Sequence, residues 1–155
     1  MVTQNSKIQQ GRIIAVSISK DKGTRKHNVK SALLKKDFGI ALDAHGGAGN
    51  RQVSLLADES IQKMQAKGLK VGPGDFAENI TTQGLDLPNL KVGAKLKIGK
   101  DALLEVSQIG KVCHSRCSIY YQAGDCVMPR EGIFAKVLKG GVIKPQDTLE
   151  VIENV

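Results

Sequence analysis

Tryptophan is absent from this 155-residue chain, and the other aromatics number five: Phe38, Phe76, Tyr120, Tyr121 and Phe134. They are not interleaved with the basic residues as base-stacking platforms require, so nucleic acid is disfavoured as a partner. No apolar run reaches the roughly eighteen residues of a membrane span, so no membrane partner is expected. Residues 1–10 are polar and lack the apolar centre of a secretory signal, so a cytoplasmic location with reduced thiols is expected. Proline is scarce, with four residues, and neither internal repeats nor low-complexity linkers interrupt the chain. A single domain spanning 1–155, large enough to bury a core without staples, is the expectation.

Acidic residues are nearly missing from the N-terminal part. Up to Lys36 there are nine basic residues (Lys7, Arg12, Lys20, Lys22, Arg25, Lys26, Lys30, Lys35, Lys36) against Asp21 alone, within a net charge of +8. From Asp101 onward the signs nearly balance. Such asymmetry fits either a solvated basic surface or an anionic partner, and the shortage of aromatics favours a small anion over nucleic acid.

Cysteine is rare but concentrated: Cys113, Cys117 and Cys126 fall within fourteen residues. Three thiols cannot all pair within one chain, so nucleophilic or metal chemistry suits them better than a disulfide framework. Lys111, His114, Arg116 and Arg130 stand nearby in sequence, and a cation beside a thiol favours the thiolate. The Cys-x3-Cys spacing departs from the Cys-x2-Cys of most zinc knuckles, and a zinc site would need a fourth ligand such as His27 or His45.

Short apolar stretches separated by glycine turns predict strands over 11–19, 29–34, 52–57, 103–109, 134–138 and 148–152. Val92, Leu96 and Ile98 alternate with lysines, as on a half-buried strand. One helix is predicted over 58–68, capped by Asp58, ended by Gly68, with Ile61, Met64 and Leu69 near one face. This pattern predicts a mainly β, compact β-barrel-like domain with one or two short helices.

Three further segments offer chemistry. The triple-glycine loop from His45 to Arg51 brings backbone amides and a guanidinium together, yet has neither a Walker lysine nor a dinucleotide fingerprint. In Asp43-Ala44-His45, the histidine reads as a general base oriented by Asp43, as a metal ligand, or as a satisfied loop residue. After the Pro73-Gly74 turn, Asn79 carries an amide that can donate and accept, while Asp75 and Glu78 have carboxylates suited to acid–base work but read first as structural.

Taken in order, these segments resemble the MOSC domain, the family named for the C-terminal domain of molybdenum-cofactor sulfurases. The resemblance runs from Arg12 to Ile152. It is carried by Gly39-Ile40-Ala41-Leu42-Asp43-Ala44-His45-Gly46-Gly47, Arg51-Gln52-Val53-Ser54-Leu55-Leu56, Gly74-Asp75-Phe76-Ala77-Glu78-Asn79-Ile80-Thr81, the segment 90–99, and Leu104-Glu105-Val106-Ser107-Gln108 followed by Cys113. It implies a β-barrel-like fold and a role in molybdenum-cofactor (molybdopterin) handling. Cys113 matches the cysteine thought to carry sulfur as a persulfide or to ligate molybdenum, with Val112 where relatives often have proline. Lys30, Ser31, Arg51 and Asn79 are the implied contacts to the phosphate-bearing pterin, with Cys117, Cys126 and His45 as auxiliary candidates. The pyridoxal-phosphate domain of the large sulfurases has no counterpart here, so sulfur delivery would need a cysteine desulfurase and an acceptor molybdoenzyme. The alternatives are a small molybdenum-dependent reductase of N-hydroxylated substrates and a zinc-stapled basic binding protein.

Overall fold

The alternating apolar segments fold into a closed ring of strands in the computed structural model, which describes residues 9–21, 24–110 and 131–154. The chain runs through β1 (Gln10–Ile18), β2 (His27–Val29), β3 (Ala32–Lys35), β4 (Gly39–Ile40), β5 (Val53–Ala57), α1 (Asp58–Ala66) and β6 (Ile80–Gln83). It continues through β7 (Lys95–Ile98), β8 (Ala102–Ile109), β9 (Ile133–Lys139), β10 (Gly141–Ile143) and β11 (Thr148–Glu153). Seven strands in the order β11-β7-β8-β9-β5-β6-β1 close into a barrel because β1 pairs with β11 as well as β6. Closure leaves the ring no edge to aggregate. The far end of β1 also pairs with β2, and β10, β3 and β4 form a separate three-stranded sheet.

Within the ring β5 and β6 are the parallel pair, joined across α1. A strand covered on both faces should read as a continuous apolar run, and Val53-Ser54-Leu55-Leu56-Ala57 is buried throughout. Val53 and Leu55 point into the barrel core with Ile13, Val16, Ile80, Leu104 and Ile133. Leu56 points the other way, joining Ile61 and Met64 of α1 with Leu69, Val71, Phe76 and Phe134. β9 alternates in the same sense, Ile133 and Ala135 inward and Phe134 outward. The functional residues gather on this outer layer, at the edge of the smaller apolar cluster.

The mainly β reading of the sequence holds, and the departures from it have physical causes. The stretch 29–34 is two strands, because the chain turns at Lys30-Ser31 and leaves the barrel for the smaller sheet. Ala57 occupies the helix N-cap without a side-chain bond, since it is still paired to Thr82 as the last residue of β5. Asp58 therefore enters the first turn, where it accepts from Gln62 Nε2 at 2.8 Å. Val92 is 60 % exposed, standing ahead of a turn at Gly93 (φ 99°), and the strand begins only at Lys95. Among the described residues no helix is long and apolar enough to cross a membrane.

Candidate functional site

Asn79, fully buried just before β6, ties three segments together. Its Oδ1 accepts from the Ser54 backbone N–H at 3.0 Å and from Ser54 Oγ at 3.2 Å, and its Nδ2 donates to the Ser17 carbonyl at 3.1 Å. Its backbone N–H donates to the Ser54 carbonyl at 3.0 Å, and its carbonyl accepts from Ser17 N–H at 2.7 Å. β1 and β5 are thus bridged by one residue where β6 begins. The turn ahead of it is held from inside by Glu78, which accepts from Gly74 N–H (2.8 Å), Phe76 N–H (3.2 Å) and Thr81 Oγ1 (2.7 Å). Burial pushes the Glu78 carboxyl above its usual range, with these donors pulling it partly back. Among the described residues Glu78 bonds to the turn and to the start of β6, so the group staples the two together.

Behind the loop that follows β4 lies a buried ionic cluster. Lys26 and Asp43 have fully buried side chains and meet at 2.8 Å between Nζ and Oδ1. Asp43 Oδ1 also accepts from Ser19 N–H at 3.0 Å, and Oδ2 accepts from the His45 backbone N–H at 3.1 Å. Burial acts to raise the Asp43 carboxyl, but the Lys26 ammonium, the Ser19 N–H and the Asn79 amide together hold it below its ordinary value. The ring of His45 is oriented from Nδ1 by Lys26 Nζ at 2.9 Å, while Asp43 Oδ2 stands 3.9 Å away.

His45 then forms one wall of a cleft completed by Arg51, Ser54, Phe76, Ala77, Asn79 and Phe134. The cleft is small, about 50 Å³, enough for one edge or charged group of a ligand and well below the 300–1,000 Å³ of a whole cofactor pocket. Arg51 lies over the Phe134 ring, its guanidinium carbon 5.0 Å from the centroid, and its Nε donates to Gln108 Oε1 at 3.2 Å. The two Nη atoms have no partner among the described residues. Ala77, at φ 65°, holds a left-handed backbone that a side chain rarely adopts, and its carbonyl accepts from Ser54 Oγ. Ser107 Oγ donates to the Asn50 carbonyl, fastening the glycine loop to β8.

The profile of the MOSC domain matches residues 42–150, from the turn beside Asp43 to β11. The chain belongs to the MOSC domain family. Its architecture is that of the YuaD protein from Bacillus subtilis, with a TM-score of 0.78 at 19 % identity over 94 % of this chain and 97 % of that one. YiiM from Geobacillus stearothermophilus gives 0.68 at 21 % identity over 95 % and 76 % of the two chains, and YiiM from Escherichia coli 0.67 at 19 % over 94 % and 71 %. Identities this low speak for the fold alone. Among curated proteins none matches. The MOSC family is associated with the molybdenum cofactor.

Of the residues singled out in this MOSC chain from sequence, Arg51, Asn79 and His45 come together at the cleft. Lys30 and Ser31 do not line it. They are exposed on the turn between β2 and β3. Cys113, Cys117 and Cys126 lie outside the described residues, as does His114. Among the described residues no three of His, Cys, Asp and Glu gather as a metal would require. Ser19, Lys26, Ser54 and Phe134 were not legible as site residues. Lys26 sits in a run of polar residues that reads as solvated surface, whereas Ser54 did carry a signal, a hydroxyl inside an otherwise apolar strand.

Proposed function

We propose that this MOSC protein binds the molybdenum cofactor at the cleft and that Cys113 carries sulfur for it or ligates its metal. The observation that carries the reading is Arg51. Its guanidinium is held over Phe134 and steadied by Gln108, and neither Nη atom has a partner among the described residues. A planar fork of this kind suits a phosphate or the polar edge of a pterin. Asn79 supports it from below by fixing the cleft floor, since most of its hydrogen-bonding capacity is spent on Ser17 and Ser54. Lys30 and Ser31 would add a second, outlying phosphate contact. Support for the sulfur site comes from the sequence alone: Cys113 follows Gln108, the residue that holds Arg51, by five residues.

When bound, the cofactor would supply metal-centred sulfur or oxygen chemistry, and the residues named here would bind and orient it. In the sulfur-carrying version the Cys113 thiolate attacks the outer sulfur of a persulfide on a donor cysteine desulfurase. A new S–S bond forms on Cys113 and the donor cysteine leaves as thiolate, so no external oxidant or reductant is consumed. The test is molybdenum and pterin content per chain after anaerobic purification from molybdenum-replete cells. Wild type should hold both, Cys113→Ala less molybdenum, and Arg51→Gln less pterin. Zinc at one per chain with no pterin would overturn the reading, as would equal molybdenum and pterin in all three proteins.

A further inference from the structure

We propose that buried Lys26 is a positioning residue that locks His45 in the Nε2–H tautomer, so that the ring serves its cleft as a hydrogen-bond donor and not as a base. An ammonium has three N–H donors and no acceptor. Lys26 Nζ has three groups at hydrogen-bond distance: Ser19 Oγ at 3.0 Å, Asp43 Oδ1 at 2.8 Å and His45 Nδ1 at 2.9 Å. The remaining protons are accounted for as well. Ser19 Oγ, accepting from Lys26, gives its own hydrogen to the Asp21 carbonyl at 3.0 Å. Asp43 Oδ1 takes Ser19 N–H beside the lysine, and Oδ2 takes His45 N–H.

In this arrangement the third ammonium proton has only the Nδ1 lone pair to meet. A proton on Nδ1 would set two donors face to face at 2.9 Å, beside a lysine side chain that is fully buried. That conflict is costly in a site water does not reach. The ring is therefore neutral and carries its hydrogen on Nε2, the edge opposite Lys26. Asp43 enters as the counter-ion that keeps a buried ammonium in place, not as the group that orients the imidazole, from which it stands 3.9 Å. Among the described residues, Lys26 lies behind the ring, Arg51 lines the same cleft and the Asp43 carboxylate stands 3.9 Å from Nδ1. The ligand class that suits a donor edge beside the Arg51 fork is an acceptor oxygen, of a phosphate or another oxyanion. This last step rests on the anion-binding reading of the cleft, whereas the tautomer does not.

The experiment is ¹⁵N NMR of histidine-labelled protein without ligand, in which the three histidines are told apart by a His45→Gln variant. His45 Nδ1 is expected to resonate as an unprotonated nitrogen and Nε2 as a protonated one at pH 7. The Lys26→Met/Asp43→Asn double variant removes the buried charges as a pair. It should lose the lock, giving mixed tautomers. A wild-type ring protonated on Nδ1 at pH 7, or a double variant with an unchanged pattern, would overturn the proposal. The wild-type spectrum decides by itself if the variant does not fold. Inorganic phosphate is then added. A shift of the Nε2 resonance that disappears in Arg51→Gln is expected, and an intact lock with no response to phosphate would sink the anion-site reading alone.

Discussion

Asp43 and Glu78 are both buried carboxyls, and their surroundings move them in opposite directions. Asp43 is held below 3.8 because Lys26 and its other donors outweigh burial, so its stabilisation is complete above that value and fades as pH falls through the lowered pKa. Glu78 is raised above 4.5, chiefly by burial, so its contribution is complete below 4.5 and is lost as pH rises through the raised pKa. Urea midpoints from pH 3 to 8 should separate the two. Asp43→Asn strands a buried ammonium and should cost about 3–5 kcal/mol at pH 7, and it should flatten the acid limb below pH 3.8. Glu78→Gln should leave that limb and remove the decline above pH 4.5. If both variants keep the wild-type pH profile, these assignments are wrong. Thr82 offers a simpler case. Its Oγ1 is buried without a hydrogen-bond partner among the described residues, so Thr82→Val should raise stability by about 1 kcal/mol, readable as a higher urea midpoint at unchanged m-value. At this scale the sequence was least informative. Nothing in the run around Lys26 shows that one lysine of it is fully buried, because polar flanks look alike whether they face water or a single carboxylate.

Elements were easier to read than their partners. Short apolar stretches bounded by turns identified β1, β5, β8, β9 and β11 to within a residue or so, because each has at least one side in an apolar core. β10 escaped notice, since two glycines at 140 and 141 hide a strand only three residues long. The turn at 72–77 shows what one element asks of another. Gly74 takes φ 92°, and a Cβ there would lie 2.4 Å from the Lys26 carbonyl oxygen and 3.0 Å from Ser17 Oγ. The two backbones are also bonded here, Lys26 N–H donating to the Gly74 carbonyl at 2.8 Å. Gly74→Ala therefore meets both backbone strain and a backbone clash. It should destabilise by about 2–4 kcal/mol, and because the Lys26 backbone must shift, the His45 ring should move with it. Thermal unfolding gives the first effect and the His45 ¹⁵N resonances the second. Gly68 is the control: it has φ 93° with nothing within 4 Å of its Cβ position, so its alanine variant should show strain alone and leave His45 unmoved.

At the scale of the whole molecule, a β-barrel-like fold and the MOSC signature were both legible, because segment order survives where single residues mislead; the closure of seven strands into a ring was not. The net charge of +8 was legible too, but charge reads in two ways that distance separates. Attraction from scattered lysines acts over the Debye length, which is about 10 Å at 0.1 M salt and about 3 Å at 1 M. A guanidinium fork in contact with a phosphate is much less screened and is worth about 1.5–3 kcal/mol, or roughly tenfold to a hundredfold in affinity. Calorimetric titration with a phosphate-bearing pterin from about 0.05 to 0.5 M salt should therefore show two independent effects. Affinity should fall with salt to a similar degree in wild type and Arg51→Gln, since both retain the distributed charge. At every salt concentration the variant should bind at least tenfold more weakly. If Arg51→Gln instead converges on wild type at high salt, Arg51 acts only as one more surface cation. The contact geometry over Phe134 would then have no part in binding.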